Sequence, residues 1–273
     1  MISTPLRRYG AMILMLLTSA FSGGTFAKTH TTTSDIAHIT ATTSKKVSSK
    51  QEYSRNSDLS SALPDLRKYP SGTPRKKAFL RTVMPYITSQ NAAITTERNW
   101  LISKQYANKW SPAERSRLKD IAKRYKIKWS GNTHRIPWNT LLERVDIIPD
   151  SMIATMAAAE SGWGTSKLAR NNNNLFGMKC AKGRCSNAPG KVKGYSQFGS
   201  VKDSVNAYVV NLNTHPAYSS FRKSRAQLRK ADQEVTASAM IHKLEGYSTK
   251  GSSYNNFLFA MYQDNQRLIA AHM

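Results

Sequence analysis

From about Leu63 onward, apolar residues return every three to four positions, the spacing that gathers them on one face of a helix. Thr73-Pro74 opens the first such pattern, with Phe79, Leu80, Val83, Tyr86 and Ile87 on its apolar face and Pro85 expected to kink or divide it. A second stretch continues through Ile94, Trp100 and Leu101. Ser111-Pro112-Ala113-Glu114 combines an N-cap, a proline at the first helical position and a glutamate closing a capping box, ahead of an apolar face of Leu118, Ile121, Ala122 and Tyr125. Another helix is predicted after Pro137, with Leu141, Leu142 and Val145. Pro149-Asp150-Ser151 then starts a buried helix in which Met152, Ile153, Met156 and Ala157 repeat as far as about Ser161, where Gly162 and Gly164 stop it. Between Leu175 and Val201 the helical rhythm fails: glycines stand at 177, 183, 190, 194 and 199, and residues alternate from Lys191 to Phe198. A small hairpin or pair of short strands is predicted there. Helices resume at Ser200, whose capping box has Asp203 in the glutamate position, and run through Val205, Ala207, Tyr208, Val209 and Leu212. Further helices are predicted over Thr236 to Leu244 and Tyr254 to Ala271, and no repeat of fixed period is visible.

The first sixty residues differ. Arg7 and Arg8, the apolar run Ala11 to Leu17 reaching Phe21, and Thr25-Phe26-Ala27 read as a secretory signal over residues 1–27, an uncleaved anchor being the competing reading. No other segment approaches the 18 or so apolar residues of a membrane span. Residues 28–61 are rich in Ser, Thr and Lys with few apolar anchors, and read as a disordered basic tether or spacer. A helical region over 62–139 and a catalytic domain over 140–273 complete the predicted organisation.

Charge adds a partner class. The chain carries 41 Lys and Arg against 16 Asp and Glu, a formal charge of +25, so it is drawn to polyanions. For an exported protein these are wall-peptide carboxylates, phosphorylated glycolipids and anionic headgroups; helix-turn-helix, zinc-finger and RNA-recognition signatures are not seen, which argues against nucleic acid. Cys180 and Cys185, the two cysteines, are expected to pair after export, Gly183 supplying the turn, with two free thiols as the alternative. The six histidines form no ligand spacing, so neither metal nor cofactor is predicted.

Ala157-Ala158-Ala159-Glu160-Ser161-Gly162-Trp163-Gly164 places one carboxylate in the last turn of an apolar helix. The negative end of the helix and its apolar neighbours both favour the protonated form, which suits a proton donor to a leaving oxygen. A structural glutamate bonded to backbone amides of the next loop is the alternative.

Glu160 to Ser166, then Asn173-Asn174-Leu175-Phe176-Gly177-Met178-Lys179, then Gly246-Tyr247-Ser248-Thr249 resemble, in order and spacing, the catalytic domain of wall-degrading N-acetylglucosaminidases of glycoside hydrolase family 73. The resemblance covers about residues 140 to 271. It implies an α+β, mainly α, lysozyme-like fold in which a helical lobe and a small β-hairpin lobe flank a glycan cleft, here preceded by helices. It puts the catalytic acid on Glu160 and a supporting tyrosine on Tyr247, with an ordinary core tyrosine as the alternative at Tyr247. Trp163, Asn174, Phe176 and Tyr195 are candidates for sugar contact, although a tryptophan between glycines also packs under a helix end and an Asn172-Asn173-Asn174 run also satisfies turn backbone.

Two departures from the family pattern follow. Residues 179 to 202 contain no Asp or Glu, and Lys250-Gly251 replaces the usual acid after the Gly-Tyr motif. The second carboxylate is therefore unassigned: Asp203 is the nearest acid in sequence, with a structural role in its capping box as the alternative, a distant acid such as Glu245 is a further route, and participation by a substrate acetamido group needs neither. The expected activity is an endo-β-N-acetylglucosaminidase acting on peptidoglycan strands in the periplasm or envelope, without a cofactor. A muramidase or lytic transglycosylase on the same scaffold, and a non-catalytic wall- or polyanion-binding protein, are the alternatives.

Overall fold

The structure is a computed structural model that describes residues 62–180, 185, 188–249 and 251–273. The signal and tether readings, Gly183 and Lys250 lie outside the described residues. Nine α-helices stand among the described residues: α1 (Thr73–Lys104), α2 (Pro112–Arg124), α3 (Trp138–Arg144), α4 (Asp150–Ser161), α5 (Lys167–Asn172), α6 (Val201–Thr214), α7 (Ser219–Lys230), α8 (Ala237–Met240) and α9 (Ser252–Ala270). The fold is mainly helical, as the sequence pattern predicts.

Pro85 does not divide α1, which runs as one helix of 32 residues. The missing amide frees the carbonyl four residues back. Arg81 and Pro85 are both on the exposed side, where water takes that bond, while Val83, Met84 and Ile87 are buried and hold the turn in place. The capping box at Ser111 forms as its sequence requires: Ser111 Oγ accepts from the Glu114 amide, and the Glu114 carboxylate accepts from the Ser111 amide at 2.9 Å. The helix predicted over 236–244 contracts to α8 and a 3-10 turn, Ile241–Lys243. Helices α5 and α7 were not foreseen.

At the centre lies α4, with Met152 to Ala158 all buried. Its alanines at 154, 157 and 158 let α9 and α1 approach on different sides, and α1 also packs on α6. The hydrophobic core is continuous from Leu63 to Ile269. Just before α4, Asp146 is buried among three guanidinium groups: Arg98 from α1, and Arg225 and Arg229 from α7, with N–O separations of 3.6, 3.7 and 3.0 Å. Burial pushes the Arg225 guanidinium down to about 10, and Asp146 opposes the shift. Arg225 also donates to the carbonyls of Ile147 and Glu143, and Arg98 to that of Val145, so charged donors satisfy the backbone of the α3–α4 junction.

Of the predicted hairpin between α5 and α6, one antiparallel bridge stands among the described residues, Lys179 with Tyr195. Gly177, Gly190 and Gly194 have positive φ and break the extended run, and the asparagine triplet takes over the work of a ladder. Asn172 both donates to and accepts from Val192, Asn173 donates to the carbonyls of Phe198 and Gly199, and Asn174 donates to those of Met178 and Ser196. Cys180 and Cys185 are bonded as a disulfide, with Cα atoms 5.3 Å apart.

Candidate active site

Helix α4 ends by turning left-handed at Gly162, φ 57°. Trp163 and Gly164 also have positive φ, so the chain reverses within three residues and leaves Glu160 at the open end of an otherwise buried helix. Gly164 is required for two reasons. Its φ is 77°, and a Cβ there would stand 2.6 Å from Leu66 Cδ1 and 3.1 Å from Phe79 Cδ2. Trp163 packs edge-on against Phe79 at 5.6 Å, with the Lys76 ammonium 5.1 Å from its ring centroid. It belongs to the packing beneath the helix end.

Glu160 faces a cleft of about 780 Å³ lined by Phe176, Gly177 and Met178 on one side and by α6, the Tyr247 turn and the start of α9 on the other. The Tyr254 hydroxyl donates to Glu160 Oε1. The second oxygen, Oε2, lies toward Gly177, where a Cβ would approach it to 3.5 Å. From Tyr254 an aromatic band continues along the lining of the cleft. Tyr247 stacks on Tyr254 with centroids 5.4 Å apart, Tyr208 meets Tyr247 edge-on with their hydroxyls 3.2 Å apart, and Phe176 stacks on Tyr208 at 3.8 Å. Tyr218 flanks Tyr247 at 6.0 Å, and His215 lies next to Tyr218. His215 Nδ1 accepts from the Ala217 amide, so the neutral ring carries its proton on Nε2.

Burial raises the phenols of Tyr208, Tyr247, Tyr254 and Tyr218 above the ordinary tyrosine value. For Tyr247 the charge of Glu160 adds to the effect, and for Tyr254 so do Tyr247 and the bond to Glu160. Near neutral pH these groups are hydrogen-bond donors, and none serves as a base.

Among the described residues lining the cleft, Glu160 is the one carboxylate. Asp203 lies outside it, exposed, with its carboxylate accepting from Ser200 Oγ at the start of α6. Glu245 is exposed and also outside. Of the residues offered for sugar contact, Phe176 lines the cleft. Asn174 is buried in backbone bonding, Tyr195 is held in its bridge to Lys179, and Trp163 is turned to Phe79; none of the three lines it. Tyr254, Tyr208, Tyr218, Asn211 and His215 line the cleft without having been singled out. They come from three elements, and their spacing in sequence carries no sign of convergence. No three His, Cys, Asp or Glu side chains among the described residues are grouped to hold a metal ion.

A family model named Glucosaminidase and described as mannosyl-glycoprotein endo-beta-N-acetylglucosaminidase matches residues 137–267. Across 274 aligned residues, 100% of both chains, the sequence is 85% identical to Protein bax of Escherichia coli strain K12. The chain belongs to the Bax family. No solved structure matches it. The glucosaminidase domain is a glycan-hydrolase domain, and every residue lining the cleft falls inside its matched limits. The disulfide at the cleft rim fits an oxidising compartment, and no helix among the described residues is long and apolar enough to cross a membrane.

Proposed function

We propose that the protein is an endo-β-N-acetylglucosaminidase of peptidoglycan in which Glu160 is the general acid and the 2-acetamido group of the substrate takes the place of a second carboxylate. The observation that carries this reading is the cleft itself: one carboxylate, ringed by phenols that stay protonated. Tyr254 occupies Oε1, so in this reading Oε2, on the Gly177 side, is the oxygen that delivers the proton. Glu160 passes that proton to the glycosidic oxygen as the C1–O bond breaks, and the acetamido carbonyl oxygen closes on C1 to give an oxazolinium ion. The carboxylate then takes a proton from water as that water opens the ring at C1, which restores the acid and retains the anomeric configuration. In this reading Tyr247, stacked on Tyr254, holds the acetamido group in line. This also explains why the departures at residues 179–202 and 250–251 are tolerated: participation by the substrate needs no protein nucleophile.

Glu160→Gln keeps the shape and removes the proton. Digestion of purified sacculi is expected to fall about 100- to 10,000-fold while binding to them persists. Digestion at the wild-type rate would remove Glu160 from the reaction. Mass spectrometry of the reducing ends reads the bond cut: N-acetylglucosamine ends are expected, whereas muramic acid or anhydro ends would make the enzyme a muramidase or lytic transglycosylase. A wild-type protein that binds sacculi and releases nothing would be a wall-binding protein.

A further inference from the structure

A second concavity, of about 490 Å³, lies in the helical region upstream of the glucosaminidase match, lined by Arg115, Ser116 and Lys119 of α2 and by Trp129, Ser130 and Gly131 of the segment after it. Its volume is within the range of small-molecule pockets, about 300–1,000 Å³. The lining contains two cations and no carboxylate. The acids close by in sequence are engaged or lie elsewhere: Glu114 is bound by Lys104 and by the capping box, Glu97 by Arg124, and Asp120 does not line the groove. Among the described residues neither Arg115 nor Lys119 forms an ion pair. Arg115, Lys119 and Lys123 follow one another at four-residue spacing, and like charges so placed oppose the helix that carries them. Residues 104–135 as a whole hold ten Lys and Arg against two acids. The Trp129 indole N–H is already spent on the Asn132 carbonyl at 2.8 Å, so the indole that lines the groove asks no polar partner of a ligand.

An indole beside a guanidinium and an ammonium matches a saccharide that carries an acidic peptide: the C–H face of a pyranose covers the indole while the carboxylates of the peptide meet the cations. We propose that this groove is a second saccharide site, which binds the carboxylate-bearing repeat of a wall glycan strand and holds the strand while the cleft acts on it. The proposal rests on the cleft being a peptidoglycan hydrolase only for the identity of the saccharide. Anionic phospholipid and duplex DNA share the charge but offer no ring face to the indole, the lipid having none and the duplex stacking its bases on one another.

The test uses the full mature chain carrying Glu160→Gln, so that the probe is not cut, and compares it with the same chain carrying Arg115→Gln and Lys119→Gln in addition. Calorimetric titration with a disaccharide tetrapeptide from wall digests is expected to show affinity about tenfold or more weaker in the triple variant, a loss that shrinks as salt is raised. A neutral N-acetylglucosamine tetramer is expected to bind both chains equally. Exchange of the cations, Arg115→Lys with Lys119→Arg, is expected to restore most of the affinity. Equal binding of the disaccharide tetrapeptide by both chains would overturn the proposal, as would a matching loss for the neutral tetramer. So would a loss confined to phosphatidylglycerol vesicles or duplex DNA. Because the readout is binding, it is independent of Glu160→Gln digestion: normal sacculus digestion by Glu160→Gln would remove the cleft reading alone.

Discussion

At the scale of single residues, the site depends on two contacts of different kinds. Tyr254 holds Glu160 Oε1 through one hydrogen bond, and it does so from a helix other than the one that carries the glutamate. Tyr254→Phe keeps the ring stack on Tyr247 and removes the bond. A fall in kcat of about ten- to hundredfold on sacculi is expected, with KM changed less than about threefold, since the bond orients the acid and does not grip the substrate. Equal losses in both parameters would make Tyr254 a binding residue. Gly164 acts through packing. Gly164→Ala meets both the positive φ and the Leu66 and Phe79 side chains, so roughly 2–4 kcal/mol of destabilisation is expected, read as a lowered denaturant midpoint. Glu160 could be picked out in the sequence because its neighbours are local: a small-residue helix before it and glycines after it. Tyr254 could not, since its importance comes from a contact across 94 positions of chain. Trp163 shows the converse: its place between glycines drew attention, and the same glycines fold it back onto α1.

At the scale of elements, helices with a written start and stop were legible, α2 and α4 above all. Those whose apolar face is narrow or filled by charged residues were not. Helix α7 buries Arg222 and Arg225 where a pattern of hydrophobic positions would expect leucine. Arg222 meets Glu143 and the carbonyls of Leu212 and His215, and Arg225 meets Asp146 in a charged joint that links α7 and α1 to the entrance of α4. Removing the carboxylate leaves buried guanidinium groups without their counter-charge. Asp146→Ala is therefore expected to cost about 3–5 kcal/mol, as for other broken buried pairs. The companion variant Arg229→Ala touches the half-exposed member of the cluster and is expected to cost well under half as much by the same denaturation measurement. The hairpin is small for a related reason: alternation in sequence marks a long ladder only if the backbone groups are left for a partner strand, and here the asparagine side chains claim them.

At the scale of the whole molecule, two properties depend on many residues at once. The first is alkaline stability. Tyr125, Tyr208, Tyr247 and Tyr254 all ionise above the ordinary tyrosine value of 10.0 when folded, because burial disfavours the phenolate. Above pH 10 the unfolded chain releases these protons and the folded one keeps them, so stability falls as pH rises, by up to about 1.4 kcal/mol per pH unit for each such group. Denaturant midpoints that drop from pH 9 to pH 11, with the tyrosinate absorbance of the buried phenols appearing only as the protein unfolds, are the expected signature. The second property is the dependence of the glucosaminidase domain on what precedes it. The matched segment begins at residue 137, yet α1 lies against α4 and α6 and buries Phe79, Leu80, Val83, Met84, Ile87, Ile94 and Leu101 in a core continuous with theirs. At about 1.5–3 kcal/mol for each large apolar side chain, that contribution exceeds 10 kcal/mol, comparable to the whole net stability of about 5–15 kcal/mol typical of a domain. A fragment beginning at residue 137 would expose α4 on the α1 side, and Glu160 would lose the packing that fixes its turn. Such a fragment is expected to show no cooperative thermal transition and no activity on sacculi, whereas residues 62–273 should melt as one unit and retain both. A cooperative transition in the shorter fragment would mean that the glucosaminidase domain closes its own core.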